Sequence, residues 1–184
     1  MQNARNKGVE MELDSLSEVR ILLVASKGSS TQILRTVFAI AGITKLVMVD
    51  EPRRAIEMLC IENFHAVFVE GAMEQDGMPF ALAARRLPAL LNPMIPIFAV
   101  FPEARKRDVE TARDLGVNDV ICRPVSPKTV MTKLRAALAA PRPFIAAPSF
   151  FGPDRRSASR VAPVPGAERR ARAARKTKVT VALV

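Results

Sequence analysis

The 184-residue sequence contains no Trp and no Tyr, only one His and only two Cys, and these absences narrow the classes of function. Without Trp or Tyr, the rings that commonly sandwich a flavin are missing. Cys60 and Cys122 are too few for a disulfide framework or a metal cluster, and both stand among apolar residues, so we expect buried free thiols. The lone His65 has no Cys or carboxylate at ligand spacing, which predicts a surface or loop histidine rather than a metal ligand.

Long apolar runs are missing as well. No window of about 18 apolar residues predicts a membrane span. Residues 1–18 are polar and mixed in charge and lack the apolar stretch of a signal peptide. We therefore expect a cytoplasmic protein with no membrane partner. Hydrophobic residues nevertheless make up 49% of the chain, which is enough for the packed core of one domain.

The net charge of +10 is unevenly distributed along the chain. Residues 1–140 hold 18 Lys and Arg against 16 Asp and Glu, whereas residues 141–184 hold 10 against 2. The basic excess therefore belongs to the C-terminal segment, for which we predict a largely disordered tail that attracts nucleic acid only non-specifically. The Phe150–Phe151 pair is unusual for such a tail and indicates packing on the domain or contact with a partner.

From residue 19 onward, short apolar runs alternate with amphipathic stretches. The runs predict strands at 19–24, 45–49, 66–70, 94–101 and 118–124, and the stretches predict helices at 29–42, 50–64, 78–87, 102–116 and 126–140. Five such units predict an α/β fold with an open, doubly wound parallel sheet and helices on both faces. We expect a flexible segment at 1–17, the domain at 18–140 and the tail at 141–184. The functional site of such a sheet lies at the carboxyl ends of the strands.

Three stretches resemble the receiver domain of two-component response regulators: "VRILLVASKGSSTQILRTVFAIAG", "AVFVEGAMEQDGMPFALAARRL" and "MIPIFAVFPEARKRDVETARDLGVNDVICRPVSPKTVMTKLRAAL". The segment "ARDLGVNDVICRPVSP" is the most specific, since it is similar to the family's A-G-(x)n-K-P pattern at the fifth strand. The tail "PRPFIAAPSFFGPDRRS" also resembles an extension that follows receivers in some alphaproteobacterial proteins. The resemblance covers about residues 18–140 and implies a CheY/flavodoxin-like sheet of five strands with five helices.

The family's chemistry uses an acidic pair that holds Mg²⁺, a phospho-acceptor aspartate, a Thr or Ser, a Lys and an aromatic switch residue. The matching positions here carry, in that order, Ala25 and Ser26, Glu70, Phe101, Arg123 and Val120. No position keeps the family's residue. Mg²⁺ needs carboxylate oxygens that Ala25 lacks, and without the metal an incoming phosphoryl group is not neutralised. The resemblance thus implies a degenerate pseudo-receiver that is not phosphorylated, is not an enzyme and uses neither Mg²⁺ nor another cofactor.

In this frame, Glu70 and Arg123 are expected to face each other across neighbouring strand ends. The planar guanidinium of arginine can bind a carboxylate through two parallel hydrogen bonds, which a lysine cannot do. Our hypothesis is that this pair replaces the phosphoryl group and locks the domain in one state. The alternative is that Glu70 is an exposed strand-end charge without a partner.

The implied function is phosphorelay signalling through contacts with a separate signalling protein, such as a histidine kinase or another regulator. In receivers, the fourth helix, fifth strand and fifth helix form the usual dimer or output face. Candidates on this face are Lys106, Arg107, Arg113 and Asp114. Two alternatives remain open. One is a flavodoxin-like module that binds a small ligand or nucleotide through the loop at 25–31, and the other is a nucleic-acid-associated protein that acts through its basic tail.

Overall fold

The structure, a computed structural model, describes residues 16–71, 73–75, 78–147 and 150–155. In chain order the elements are a 3₁₀ turn at Leu16–Glu18, β1 Arg20–Val24, α1 Ser29–Ile40, β2 Lys45–Val49, α2 Pro52–Ile61, β3 Ala66–Glu70, β4 Glu74–Gln75, β5 Met78–Pro79, α3 Phe80–Arg86, β6 Ile97–Phe101, α4 Lys106–Asp114, β7 Asp119–Cys122, α5 Pro127–Ala139, β8 Phe144–Ala147 and β9 Phe150–Pro153. No helix among these residues is long and apolar enough to cross a membrane.

Five of the strands form one parallel sheet in the order β2-β1-β3-β6-β7. The predicted doubly wound α/β fold with five strands and five helices is therefore confirmed. Val24 of β1 pairs with both Val49 and Val69, so the carboxyl ends of the first three strands lie level with one another. The two short antiparallel pairs, β4–β5 and β8–β9, were not predicted.

Side chains alternate between the two faces of the sheet because successive strand residues point in opposite directions. Phe68 packs on the face that α1 and α5 cover, whereas Val67 and Val69 pack on the face that α2, α3 and α4 cover. The ring of Phe68 lies edge-on to Phe38 at 4.8 Å and stacks on Phe98 at 4.7 Å. Each face thus carries its own apolar cluster, and buried strands explain the near-continuous apolar runs of the sequence.

The start of α5 shows how the sequence sets a helix end. Ser126 is the N-cap, and its hydroxyl oxygen accepts a hydrogen bond from the Thr129 N–H at 3.1 Å. Pro127 follows as the first helical residue, where its missing N–H costs nothing. Val130 and Leu134 then fall on the buried face of α5. These residues orient α5 against α1.

The prediction of buried cysteine thiols is wrong for Cys122, which is exposed, while Cys60 is partly buried. Cys122 is the last residue of β7, and β7 is an edge strand of the sheet. The apolar residues around Cys122 in the sequence therefore do not bury it.

The described structure continues past residue 140, the predicted end of the domain. Residues 144–147 and 150–153 pair as an antiparallel hairpin, and its last strand contacts α3 and the turn after α4. Packing of the Phe150–Phe151 segment on the domain, one of the two interpretations of this segment, is thus confirmed. The sequence interpretation missed this hairpin because the segment was judged by its net charge, although it contains two short apolar strands. The predicted flexible segment was 1–17, but residues 16 and 17 belong to the 3₁₀ turn and Leu16 is buried. Residues 1–15 and the basic stretch at 156–184 lie outside the described residues.

Candidate functional site

The carboxyl ends of β3, β6 and β7 place the polar side chains of the predicted site. The Gly71 N–H donates to the Val100 carbonyl at 2.7 Å, and the Arg123 N–H donates to the Phe101 carbonyl at 3.0 Å. The ladder therefore continues one residue beyond β3 and β7. This fixes the backbone from which the Glu70 and Arg123 side chains leave the sheet.

The expected contact between Glu70 and Arg123 is present as an ion pair. Nη2 of Arg123 donates to Oε1 of Glu70, and the two side chains are 25% and 19% exposed. Their placement on neighbouring strand ends is wrong, however, because β6 lies between β3 and β7. Two strand spacings amount to about 9.6 Å, which neither side chain spans alone. The pair therefore crosses the end of β6 and links two strands that are not hydrogen-bonded to each other.

The positions that would hold Mg²⁺ in the resembling family do not fit the metal here. Ala25 is 4% exposed and packs in the apolar cluster below α1, while Ser26 is exposed and its carbonyl accepts the Thr31 hydroxyl. Glu70 is the one carboxylate at this position, and its charge already faces a guanidinium. Among the described residues, no group of three or more His, Cys, Asp or Glu could hold a metal ion. That the protein uses no Mg²⁺ or other cofactor remains a prediction.

Phe101 and Val120 both belong to the face of the sheet that α2, α3 and α4 cover. The partly buried Phe101 ring lines an apolar pocket of about 120 Å³ between α3 and α4, beside Thr111 and Ala112. Val120 is also partly buried and pairs with Ala99 of β6. Neither residue therefore supplies a hydroxyl or a movable aromatic ring at the Glu70 end of the sheet.

A second ion pair at the carboxyl edge was missed by the sequence interpretation. Lys27 Nζ lies 2.9 Å from Asp50 Oδ2, and both side chains are largely exposed. The hydrogen bond from Lys27 lowers the pKa of Asp50, and the same bond raises the pKa of Lys27. The pair joins the loops that follow β1 and β2. The acidic residue after the second strand was visible in the sequence, but its partner lies far away along the chain.

His65 lies in the loop position predicted for it, immediately before β3. The imidazole Nδ1 accepts a hydrogen bond from the backbone N–H of Arg20 at 3.0 Å. The backbone N–H of His65 donates to the Arg20 carbonyl at 2.9 Å. The histidine thus joins the starts of β1 and β3.

The first two residues of the predicted interaction face are at the start of α4. Lys106 lies 3.8 Å from Glu110, and Arg107 lies 3.7 Å from Asp108. Both basic side chains are exposed. Ion pairs of this kind are weak, so a partner could replace them at little cost.

The other two predicted face residues, Arg113 and Asp114, end the same helix and already have a contact within the chain. Arg155, which follows β9, places Nη1 at 2.5 Å from Asp114 Oδ1, and its Nη2 donates to the Arg113 carbonyl. The structure therefore divides the four candidates into two pairs at opposite ends of α4. Their contact with a partner or a second copy remains a prediction.

Arg85 was not singled out from the sequence, yet it is one of the most buried polar residues. The Arg85 side chain donates from Nε to the Gly116 carbonyl at 3.1 Å and from Nη1 to the Pro93 carbonyl at 2.7 Å. Its Nη2 donates to the Ile95 carbonyl at 2.8 Å and to Asn118 Oδ1 at 2.9 Å. These acceptors precede β6 and β7 and so lie at the amino edge of the sheet.

Burial lowers the pKa of Arg85 to about 9, so the guanidinium still carries its charge at neutral pH. The residue is 5% exposed, whereas its neighbour Arg86 is exposed. One signal could have distinguished the two arginines in the sequence. Arg85 stands four residues after Ala81 and therefore falls on the same buried face of α3.

Comparisons with known proteins agree with this architecture. No family model and no curated protein matches the sequence. One similar structure is the receiver domain of the sensor histidine kinase PA1611 of Pseudomonas aeruginosa, solved with magnesium in its active-site cleft. It is 19% identical to this chain and superposes with a TM-score of 0.57, and the match covers 66% of this chain and 98% of that domain. The Vibrio cholerae chemotaxis protein CheY4 is also 19% identical, with a TM-score of 0.56 and coverages of 65% and 98%.

The orphan response regulator HP1043 of Helicobacter pylori is 15% identical to this chain, with a TM-score of 0.52 and coverages of 66% and 98%. At these identities the likeness shows the fold alone, and each of the three neighbours is covered over 98% of its length. The described part of the chain therefore has the fold of the CheY-like receiver domains of response regulators.

Proposed function

We propose that the protein is a receiver-type module of two-component or phosphorelay signalling that acts by binding another protein and is not phosphorylated at Glu70. The ion pair between Glu70 and Arg123 is the observation that carries this proposal. Similar folds occur in a receiver domain of a sensor histidine kinase and in chemotaxis regulators, which supports a histidine kinase or another regulator as the partner. The proposal assigns the chain no catalytic activity, no cofactor and a cytoplasmic location.

The electrostatics of the carboxyl edge support the absence of phosphoryl transfer. A carboxylate that attacks a phosphoryl group needs a metal ion or several cations to neutralise the developing charge. Here the carboxylate of Glu70 is bound to Arg123, and the aliphatic Ala25 and the aromatic Phe101 stand where the family has a metal ligand and a hydroxyl. The attacking carboxylate is therefore already paired with a guanidinium, and the ligand that would hold a metal ion beside it is replaced by Ala25.

The same pair supports a single conformational state. It links the ends of β3 and β7 across β6, and both partners are mostly buried. Losing one partner would leave a partly dehydrated charge behind, so the linked arrangement is favoured over one with the side chains apart. In this proposal the protein presents its binding face constitutively, since no phosphoryl group changes the population of its states.

Treatment with acetyl phosphate, or with beryllofluoride and Mg²⁺, tests the absence of phosphorylation. We expect no phosphoprotein by intact-mass spectrometry and no Mg²⁺-dependent change in the amide NMR spectrum of the full chain. A receiver that keeps its aspartate and acidic pair serves as the positive control. A stable phosphoprotein, or a Mg²⁺-dependent spectral shift at the ends of β1 and β3, would contradict the proposal.

Affinity capture from the native host tests the partner class. We expect the wild-type chain to enrich a histidine kinase or a response regulator, and the doubly substituted Glu70→Gln/Arg123→Met chain to lose it. The matched control is Arg20→Met/Glu62→Gln, which removes another Arg–Glu pair, with side chains 35% and 33% exposed, at the amino edge. Enrichment of no signalling protein, or equal loss with both variants, would count against a role of the carboxyl edge.

A further inference from the structure

The hairpin β8–β9 cannot owe its order to its own contacts. Each strand has four residues, and Phe144 pairs with Pro153 at the open end. Within the hairpin, the Phe144 and Phe151 rings lie 5.5 Å apart. An isolated two-stranded hairpin is marginally stable at best in water. Its order therefore depends on the surface against which it lies. We call β8, β9, Asp154 and Arg155 the clasp.

The clasp contacts the domain around Arg85. The Phe144 ring lies 4.9 Å from the guanidinium carbon of Arg85. A Cβ added at Gly152 would lie 2.9 Å from the Gly116 Cα, and one added at Gly116 would lie 2.8 Å from the Phe151 carbonyl oxygen. Two backbones approach this closely only because both positions are glycine.

Arg155 fastens the free end of the clasp to the end of α4. It bonds the Asp114 carboxylate at 2.5 Å and the Arg113 carbonyl, and its guanidinium lies 4.6 Å from the Phe150 ring. A cation at a helix C-terminus is favourable because it meets the negative end of the helix dipole. The Arg155 and Asp114 side chains are 39% and 71% exposed, however, so this attachment is weak.

The surface beneath the clasp does not depend on the clasp for its structure. The four hydrogen-bond acceptors of Arg85 all belong to the domain and none to the clasp. Neither of the two apolar clusters of the sheet includes a clasp residue. Opening the clasp therefore removes peripheral contacts and leaves the core and the hydrogen bonds of Arg85 in place.

We propose that the clasp opens as one unit while the central sheet stays folded, and that its opening releases the C-terminal end of α4. In the closed state Arg155 occupies the Asp114 carboxylate and the Arg113 carbonyl; in the open state both are available to a basic side chain of a partner. Segments with few buried contacts open at lower free energy than core strands. The clasp lies at the edge of the sheet opposite Glu70, so this inference goes beyond the proposed function and stands without it.

The absence of Trp and Tyr gives a clean reporter for opening. In the full chain, Phe150→Trp places the only indole on the clasp, at a position where a larger ring retains its stacking on Arg155. Urea unfolding is followed by Trp emission and by far-UV circular dichroism. We expect the Trp transition at a lower urea concentration than the transition of the sheet. Coincident transitions would overturn the proposal.

Arg155→Ala in the same background tests the fastening at α4. We expect the Trp transition to move to lower urea, and amide exchange at the C-terminal end of α4 to become roughly fivefold faster, with β1 and β3 unchanged. Arg135→Ala, which removes an exposed arginine of α5, is the matched control. Unchanged exchange in α4, or an equal effect of the two variants, would show that Arg155 does not close the end of the helix.

Discussion

The two edges of the sheet each depend on an arginine, but the arginines are used differently. At the carboxyl edge, Arg123 meets one carboxylate, Glu70, and both side chains retain some contact with solvent. At the amino edge, Arg85 is almost fully buried and shares its charge among three carbonyl oxygens and one amide oxygen. The two arrangements differ in burial: part of each side chain of the Glu70–Arg123 pair reaches solvent, whereas the Arg85 side chain is buried with four hydrogen-bond acceptors.

This difference teaches where the fold can change state and where it cannot. A partly solvated ion pair costs less to separate than a buried guanidinium, whose four acceptors lose their donor together when it leaves. The edge that corresponds to the reactive edge of receivers is thus the more easily altered of the two. The amino edge acts as a fixed support, and only the clasp upon it is loosely held.

Replacing Arg85 should give the largest effect and tests the strength of the amino edge. We expect Arg85→Met to lower the free energy of unfolding by about 3 kcal/mol or more, because it leaves several buried acceptors without donors. The measurement is urea denaturation followed by circular dichroism. Arg86→Met, at the exposed neighbour, should stay within about 0.5 kcal/mol of wild type. Similar values for the two variants would remove the distinction between the edges.

Two glycines with similar backbone angles measure how tightly the clasp is seated. Gly116 has φ +85° and Gly42 has φ +82°, but an added Cβ would meet nothing within 4 Å at Gly42, whereas at Gly116 it would lie 2.8 Å from the Phe151 carbonyl oxygen of the clasp and 2.9 Å from the Arg85 Cγ. We expect Gly42→Ala to cost about 1–2 kcal/mol from backbone strain alone, and Gly116→Ala to cost about 1 kcal/mol more. Thermal unfolding gives both values. Equal losses would mean that the clasp is not seated on Gly116.

A double-mutant cycle on Glu70 and Arg123 isolates the contact of the carboxyl edge. We expect Glu70→Gln and Arg123→Met each to cost about 1–2 kcal/mol, less than a fully buried pair, since both side chains are partly exposed. The double variant should lose about 1 kcal/mol less than the sum of the two. Additive losses in urea denaturation would show that the two residues do not stabilise each other.

The exposed pair of Lys27 and Asp50 should have the smallest effect on the stability of the fold. The pKa of Asp50 is lowered in the folded state, so its ionised form stabilises the fold. This contribution to the free energy of unfolding is complete above the ordinary pKa of 3.8 and is lost as the pH falls through the lowered pKa of the folded state. A carboxyl NMR titration should place the Asp50 pKa below that value, and Lys27→Met should raise it. No response of Asp50 to the substitution would exclude this pair from the electrostatics of the edge.

The sequence predicted the sheet more completely than it predicted the site. Buried strands of a parallel sheet read as short apolar runs, so β3 was located with its observed bounds. The partly buried edge strand β2 is also a short apolar run and was located with its observed bounds. The contact of Glu70 with Arg123 was predicted from the resemblance to receiver domains, which places both residues at strand ends. The intervening β6 did not, because strand order depends on long-range packing that leaves no local pattern.

Arg85 and the clasp were missed for a related reason. An arginine in an amphipathic helix is normally solvated, and three backbone carbonyls and one amide oxygen brought together from distant turns leave no trace in composition. The clasp was missed because the segment that contains it was judged by its net charge. In both cases the decisive interactions join residues that are far apart in the sequence.

The close approach of Gly116 and Gly152 also gives a way to recognise relatives of this protein. The two glycines constrain each other, since a side chain at either position collides with the backbone of the other segment. A chain that keeps the clasp seated in this way must therefore keep both glycines. This pair of glycines is the sequence feature to look for in other chains that carry the clasp.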